Sequence, residues 1–271
     1  MDFIENYPTC NGDLDGSIDM TIIGGTGPYD ILWSNSATTE DLSGISNDNY
    51  YVTVTDFNGC IVLDTVDFLA PALLIVSPEA STDYNGFTIS CNGGSNGGAI
   101  AIVEGGTPPY RYLWDDPANS TTQSISNLFS GTYNITITDD NDCEISNSVF
   151  LDEPNMPLSF QDTTIVNVEC FGDANGSIDI TPQGGVPPYN FTWSNLETSQ
   201  NINSLVAGLY QVTIEDDNLC QLVGSFEILP PEELVIDISS TPTSSAGGMD
   251  GTATANVSGG TGVIEYEWST N

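Results

Sequence analysis

The residues of this chain that could do chemistry are six cysteines and a recurring set of Asp, Asn and Gly turns. Cys10, Cys91 and Cys170 form one class by their surroundings, and Cys60, Cys143 and Cys220 form another. No two of them stand in a C-x-x-C spacing and the chain has no His, so zinc and redox chemistry lack their usual ligands and base. Disulfides in an oxidising or extracellular setting fit better. The carboxylates could hold a hard cation such as calcium. The candidates are Asp13 and Asp15 in NGDLDG, Asp173 in DANG, and the D-x-N turns at Asp56, Asp139 and Asp216. None matches an EF-hand, because a loop counted from Asn11 places Ile22 where the bidentate Glu should stand. Asp, Asn and Gly are equally what tight turns demand, so calcium and plain turns both stay open, and no other cofactor is expected.

Catalysis has little to work with. There is one Arg (Arg111), no Lys and no His, and pairing the cysteines would remove the thiols, so nucleophile and base arrangements are nearly absent. Glycoside hydrolysis needs two acids at a set separation in a cleft, and 38 acidic residues spread over repeated turns show no such pair. The expectation is that this is not an enzyme.

The elements that position these residues repeat. GGTGPYDILW from Gly24, GGTPPYRYLW from Gly105, GGVPPYNFTW from Gly184 and GGTGVIEYEW from Gly259 start 81, 79 and 75 residues apart. Periods of that length mean an array of small domains rather than solenoid turns. Cys10, Cys91 and Cys170 each lie 14 residues before the first Gly, and Ser245 takes that place in the fourth copy. A motif Y-x-V/I-x-V/I-x-D-x-N-x-C follows from Tyr50, Tyr133 and Tyr210, and a proline stands 11 residues after each closing cysteine, at Pro71, Pro154 and Pro231. Boundaries at those prolines divide the chain into 1–71, 72–154, 155–231 and a partial fourth unit, 232–271, which reads as part of a longer protein.

Period-two alternation argues for half-buried strands. Ile18, Met20 and Ile22 alternate with polar neighbours, as do Ile178 and Ile180, whereas GAIAIV in the second copy is apolar on both faces and leaves its register open. Trp33, Trp114, Trp193 and Trp268 are expected as inward core anchors. Tyr50, Tyr133 and Tyr210 open the strand on which a tyrosine corner would stand. The position opposite the aromatic face is Asp30, Arg111, Asn190 or Glu265, so Arg111 reads as a solvated or locally paired side chain. With no helical period, the fold expected is all-β: a tandem array of immunoglobulin-like antiparallel sandwiches. In each, A follows the proline, B the first cysteine, C carries the Trp, F the Tyr, and G runs to the next proline.

The combination C-x5-G-S/T-I, GG-x-x-PY-x-x-x-W and GxY-x-V-x-V-x-D-x-x-x-C resembles the SprB repeat, a relative of PKD-type domains in secreted surface adhesins of gliding Bacteroidota. Copy one has Asp48 for the Gly of GxY, copy two Gly98 and Ala99 for S/T-I, and copy four Ser245 for Cys and VIEY for PPY. The resemblance implies a long cell-surface protein acting as a stiff stalk or filament shaft in adhesion or gliding motility. It also suggests a glycoprotein with O-glycans at sites such as Thr65 and Thr163. N-x-S/T sequons occur at Asn119, Asn134, Asn175, Asn190 and Asn256. A self-polymerising filament subunit and a glycan-binding module using exposed aromatics such as Tyr51 remain alternatives. Surface glycans and neighbouring repeats are therefore the expected partners.

Formal net charge is −37, which disfavours nucleic acid and anionic membranes, because phosphate binding needs cations. There is no 18-residue apolar run for a membrane span.

Two cysteine pairings are consistent with the repeat. One lies within units: Cys10 with Cys60, Cys91 with Cys143, Cys170 with Cys220. The expected strand order disfavours it, since the A–B and F–G turns lie at opposite ends of a sandwich, about 20 Å apart for a six-residue strand, against the ~4.4 to 6.8 Å between bridged Cα atoms. The other joins neighbours, Cys10 with Cys143 and Cys91 with Cys220, leaving Cys60 and Cys170 for domains outside this segment.

Overall fold

The computed structural model describes residues 1–269. Among them every regular element is a β-strand, and the strands repeat one pattern. In the first repeat β1 (Asp2–Asn6), β2 (Gly16–Thr21) and β4 (Leu42–Ile45) form one antiparallel sheet, and β3 (Asp30–Trp33), β5 (Asp48–Thr55) and β6 (Ile61–Phe68) form the other. The second repeat uses β7 (Ile75–Ala80), β8 (Gly97–Glu104) and β10 (Ser124–Leu128) against β9 (Arg111–Trp114), β11 (Gly131–Thr138) and β12 (Glu144–Leu151). The third uses β13 (Ser159–Val166), β14 (Gly176–Gln183) and β16 (Ile202–Leu205) against β15 (Asn190–Trp193), β17 (Gly208–Glu215) and β18 (Gln221–Ile228). In strand letters these are A-B-E and C-F-G sheets, the immunoglobulin-like arrangement. The fourth repeat contributes β19 (Val235–Thr241) and β20 (Thr252–Ser258), paired as A and B.

Alternation dictates the core. Ile18 and Met20 from β2 meet Val52 and Val54 from β5 around Trp33, and Ile178 and Ile180 meet Val212 and Ile214 around Trp193. Trp33, Trp114 and Trp193 are at most 2 % exposed. Each indole Nε1 donates to a carbonyl beyond its strand, Thr39 O at 3.0 Å, Thr122 O at 3.0 Å and Ser199 O at 2.9 Å, so the buried ring has no unpaired donor.

Trp268 departs from the expectation. It is half exposed, because among the described residues no F or G strand stands beside it to complete a second sheet.

The three tyrosines form the corner anticipated for strand F. The hydroxyls of Tyr50, Tyr133 and Tyr210 donate to Ser46 O, Phe129 O and Val206 O, four residues back, at 3.0, 3.0 and 3.1 Å. Tyr50 is buried, and Tyr133 and Tyr210 are half-buried. Tyr133→Phe keeps the ring and loses one neutral hydrogen bond, so it is expected to cost about 1 kcal/mol. Urea denaturation is the check, and an unchanged midpoint would mean water replaces the bond.

The ambiguous strand β8 turns Ala99 and Ala101 inward and Ile102 outward. These alanines stand where the first repeat has Ile18 and Met20. In the second repeat β7 and β12 come together along one edge, where Asn147 Nδ2 donates to Val76 O at 3.0 Å.

By internal contacts the chain divides into two compact units, one of residues 1–83 and 95–152, the other of residues 84–94 and 153–271. The segment 84–94, which the sequence period places in the second repeat, thus belongs structurally with the third. Among the described residues no helix is long and apolar enough to cross a membrane.

Candidate functional site

Each A–B turn is closed in the same way. Asp13 N, Gly94 N, Asp173 N and Gly248 N donate to Cys10 O, Cys91 O, Cys170 O and Ser245 O at 2.8–3.2 Å. Behind the turn, Asp15 Oδ1 accepts from Thr9 N at 3.1 Å, and Asn175 and Asp250 do the same for Glu169 N and Ser244 N.

Each F–G turn is organised by its first Asp. Asp139 Oδ1 accepts the backbone N–H of Asn141 at 2.9 Å and Cys143 at 3.0 Å, while Oδ2 accepts Thr107 N at 2.8 Å. Asp56 does this with Asn58, Cys60 and Thr26, and Asp216 with Asn218, Cys220 and Val186. The carboxylate therefore ties the F–G turn to the loop after the double glycine. Only an acceptor with two oxygens at this reach can satisfy three donors, which is why Asp recurs.

This is also where the calcium candidates stand. Asp13 and Asp15 share the first A–B turn, Asp173 lies on the third, and Asp56, Asp139 and Asp216 lie on the three F–G turns; no group of three or more acidic, His or Cys side chains gathers for a metal among the described residues. The carboxylates of Asp15, Asp56, Asp139 and Asp216 are seen closing turns.

The N–H of Cys60, then those of Thr26 and Asn58, hold the Asp56 carboxyl below the usual aspartate range. A depressed folded-state pKa contributes stability that is present above the unfolded value, about 3.9, and is lost as pH falls through the lower folded value. Acid unfolding of the first repeat should accordingly set in below about pH 4, and Asp56→Asn should flatten that limb. Fluorescence of Trp33 against pH reads this, and an identical acid limb in the variant would contradict it.

The two turn types meet. Cys10 is bonded to Cys143 and Cys91 to Cys220, with Cα atoms 5.7 Å apart in both bridges. Of the two pairings open in the sequence, the structure contains the one between consecutive repeats. Around each bridge the same contacts recur. Asn141 Nδ2 donates to Thr9 O and Asn218 Nδ2 to Ser90 O, both at 3.0 Å. Asn11 Nδ2 and Asn92 Nδ2 reach the carbonyls of the linker prolines Pro71 and Pro154 at 3.0 and 2.8 Å. Asn141 and Asn218 belong to the D-x-N turns weighed for calcium and Asn11 opens NGDLDG; the signal for their place at the joint is their fixed offset from the cysteines.

The linker is clasped by the double glycine. Gly106 N donates to Ala72 O at 2.8 Å, Gly185 N to Met156 O at 2.9 Å and Gly260 N to Glu232 O at 2.9 Å. The preceding glycine has φ near +70°, and a Cβ on Gly105 would stand 1.9 Å from Leu73 O, whereas one on Gly24 would meet nothing within 4 Å. Both substitutions to Ala bear the left-handed backbone cost of ~1–2 kcal/mol. Gly105→Ala must also expel the linker, and is expected to lose at least about 2 kcal/mol more than Gly24→Ala through overpacking. Thermal unfolding of the two variants compares them directly, and equal losses would refute the clasp.

The remaining candidates lie on the surface. Arg111 pairs with Asp142, both largely exposed, an arrangement worth little in water. Thr65, Asn119 and Asn190 are exposed and Thr163 half-buried. Cys60 and Cys170 are exposed and unbridged.

A chain of A-B-E and C-F-G sandwiches, cross-linked from the A–B turn of one repeat to the F–G turn of the next, defines a tandem immunoglobulin-like array. The SprB repeat family model matches four times across the chain, at residues 8–38, 89–119, 163–198 and 238–271, consistent with the resemblance read from the motifs. No curated protein matches the chain. Among solved structures it is similar to the N-terminal eight Ig domains of Down Syndrome Cell Adhesion Molecule, at 10% identity and TM-score 0.37, covering 73% of this chain and 32% of that one. It is also similar to a tetra-tandem repeat in the extending region of a large adhesion protein, at 14% identity and TM-score 0.28, covering 94% and 86%. The chain thus spans about a third of the first of these.

Proposed function

We propose that this chain is a mechanical segment of a secreted cell-surface protein, a stalk or filament shaft that holds another part of the assembly away from the cell. The observation that carries the reading is the direction of the cross-links: each bridge spans consecutive repeats, and among the described residues none closes within a repeat. Because the two bridges overlap in sequence, they take residues 11–90 and 144–219 out of the path of tension and leave 91–143 in it. The 38 acids against one Arg keep such a segment soluble, and disulfides favour an extracellular location. The four matches to the SprB repeat support this reading, since that resemblance implies an adhesive or gliding surface protein.

Pulling the chain by its ends in a force spectrometer tests the reading. With both bridges closed, the shortest covalent path runs through roughly 115 residues, about 400 Å at ~3.5 Å per residue. With both reduced, the whole chain is free to extend to roughly 950 Å. Extension to the full length without reductant would overturn the mechanical role of the bridges.

A further inference from the structure

Cys170 stands in a half-built copy of the joint seen at Cys10. Its A–B turn is already closed, Asp173 N donating to Cys170 O at 3.1 Å and Glu169 N to Asn175 Oδ1 at 3.1 Å. The linker that follows is already clasped, Gly260 N donating to Glu232 O. At Cys10 the corresponding walls, Pro71, Leu74 and Gly106, surround a cavity of about 330 Å³ whose remaining wall is the F–G turn with Asp139 and Cys143. At Cys170 the matching Pro231, Leu234 and Gly260 line a cavity of about 480 Å³ with no F–G turn in it. Glu169 holds the place of Thr9 and Ser90, whose carbonyls each accept an Asn Nδ2 from that turn.

We infer that the groove beside Cys170 is a preformed receptor for one further F–G hairpin of the Asp-x-Asn-x-Cys type, which closes the fourth sandwich and forms a disulfide with Cys170. The groove walls belong to the linker and double glycine of the fourth repeat, so its occupant is the hairpin that packs on that repeat. The chain's own hairpins do not fill this role. β5–β6, β11–β12 and β17–β18 are each built into their own C-F-G sheet, and two of the three turns are bridged. The face the hairpin would cover is apolar and open: Ile236, Ile238 and Trp268 are at least half exposed. One position differs, since Phe171 replaces the asparagine that reaches the linker proline at Asn11 and Asn92, giving the groove an apolar lip. In the bonding step two thiols lose two protons and two electrons to a small-molecule disulfide such as oxidised glutathione, which leaves as two thiols.

The inference extends the mechanical reading without depending on the force response of the two closed bridges. The test incubates the intact 271-residue chain with a synthetic peptide of the sequence Gly208–Ile228 in a glutathione redox buffer. Acid-directed proteolysis and mass spectrometry then locate the mixed disulfides. Because an isolated two-stranded hairpin is marginal in water, the peptide is used both linear and head-to-tail cyclised. Glutathione alone gives the baseline ratio of labelling at Cys170 and Cys60. The expected result is at least tenfold enrichment of peptide at Cys170 over that baseline, lost with the peptide variants Asp216→Ala and Asn218→Ala. Labelling of Cys170 and Cys60 at the glutathione ratio, attachment to neither by either form, or full activity of the substituted peptides would overturn the inference.

Discussion

Replacing Cys10 and Cys143 together by serine is expected to lower the unfolding free energy of the first compact unit by up to about 5 kcal/mol. The bridge closes a loop of sequence separation 133, and in the chain-entropy account a loop of that size restricts the unfolded ensemble by that amount. The full figure applies if the two repeats unfold together. If the second unfolds while the first stays folded, the loop left to close is effectively shorter and the loss falls toward about 3 kcal/mol, the value for a short loop. The measured loss in guanidinium denaturation therefore also reports whether the joint makes the repeats cooperative. A loss below about 1 kcal/mol would mean that the bridge is a bystander to stability. Replacing both cysteines avoids a free thiol that could pair elsewhere.

The second large effect is expected at Asp139. Its carboxylate is fully buried and accepts three backbone N–H groups. Truncation to alanine strands those donors at about 1–3 kcal/mol each, with entering water recovering part, so the loss should be on the order of 4 kcal/mol. The same change releases the turn that presents Cys143 to Cys10, and oxidative closure of that bridge should slow. Asp139→Asn keeps one acceptor oxygen and should lose roughly half as much. Asp142→Ala, three residues away, loses only an exposed pair with Arg111 but sets alanine at φ 62°, so it should lose about 1 kcal/mol, mostly as left-handed backbone cost. Chemical denaturation of the three variants, with peptide mapping of the bridge, makes the comparison. An Asp139→Ala protein as stable as Asp142→Ala would show that the carboxylate is not what holds the turn.

Much of the fold was legible because its signals are local and repeated. Alternation in β2 and β14 determines which side chains face inward, and the Trp in β3, β9 and β15 marks the core whatever the relation of the sheets. The register of β8 was not legible, because a strand apolar on both faces fits the core either way round. The tertiary structure turns Ala99 and Ala101 inward. Trp268 shows the reverse limit, since a core residue is buried only when the opposing sheet is present. The acidic turns carried an ambiguity that composition does not remove, as the same Asp and Asn suit a cation or a turn. At Asp56, Asp139 and Asp216 the carboxylate oxygens face backbone N–H groups, a relation that the residue types alone do not specify.

By itself the sequence determined the repeat, the strand alternation, the Trp anchors and a choice between two cysteine pairings. The tertiary structure decided that Cys10 meets Cys143 and Cys91 meets Cys220. A disulfide needs two Cα atoms within about 7 Å, and that distance depends on how the end of one sandwich is set against the next by the linker lying on the double glycine, a relation between domains that no local pattern of residues encodes.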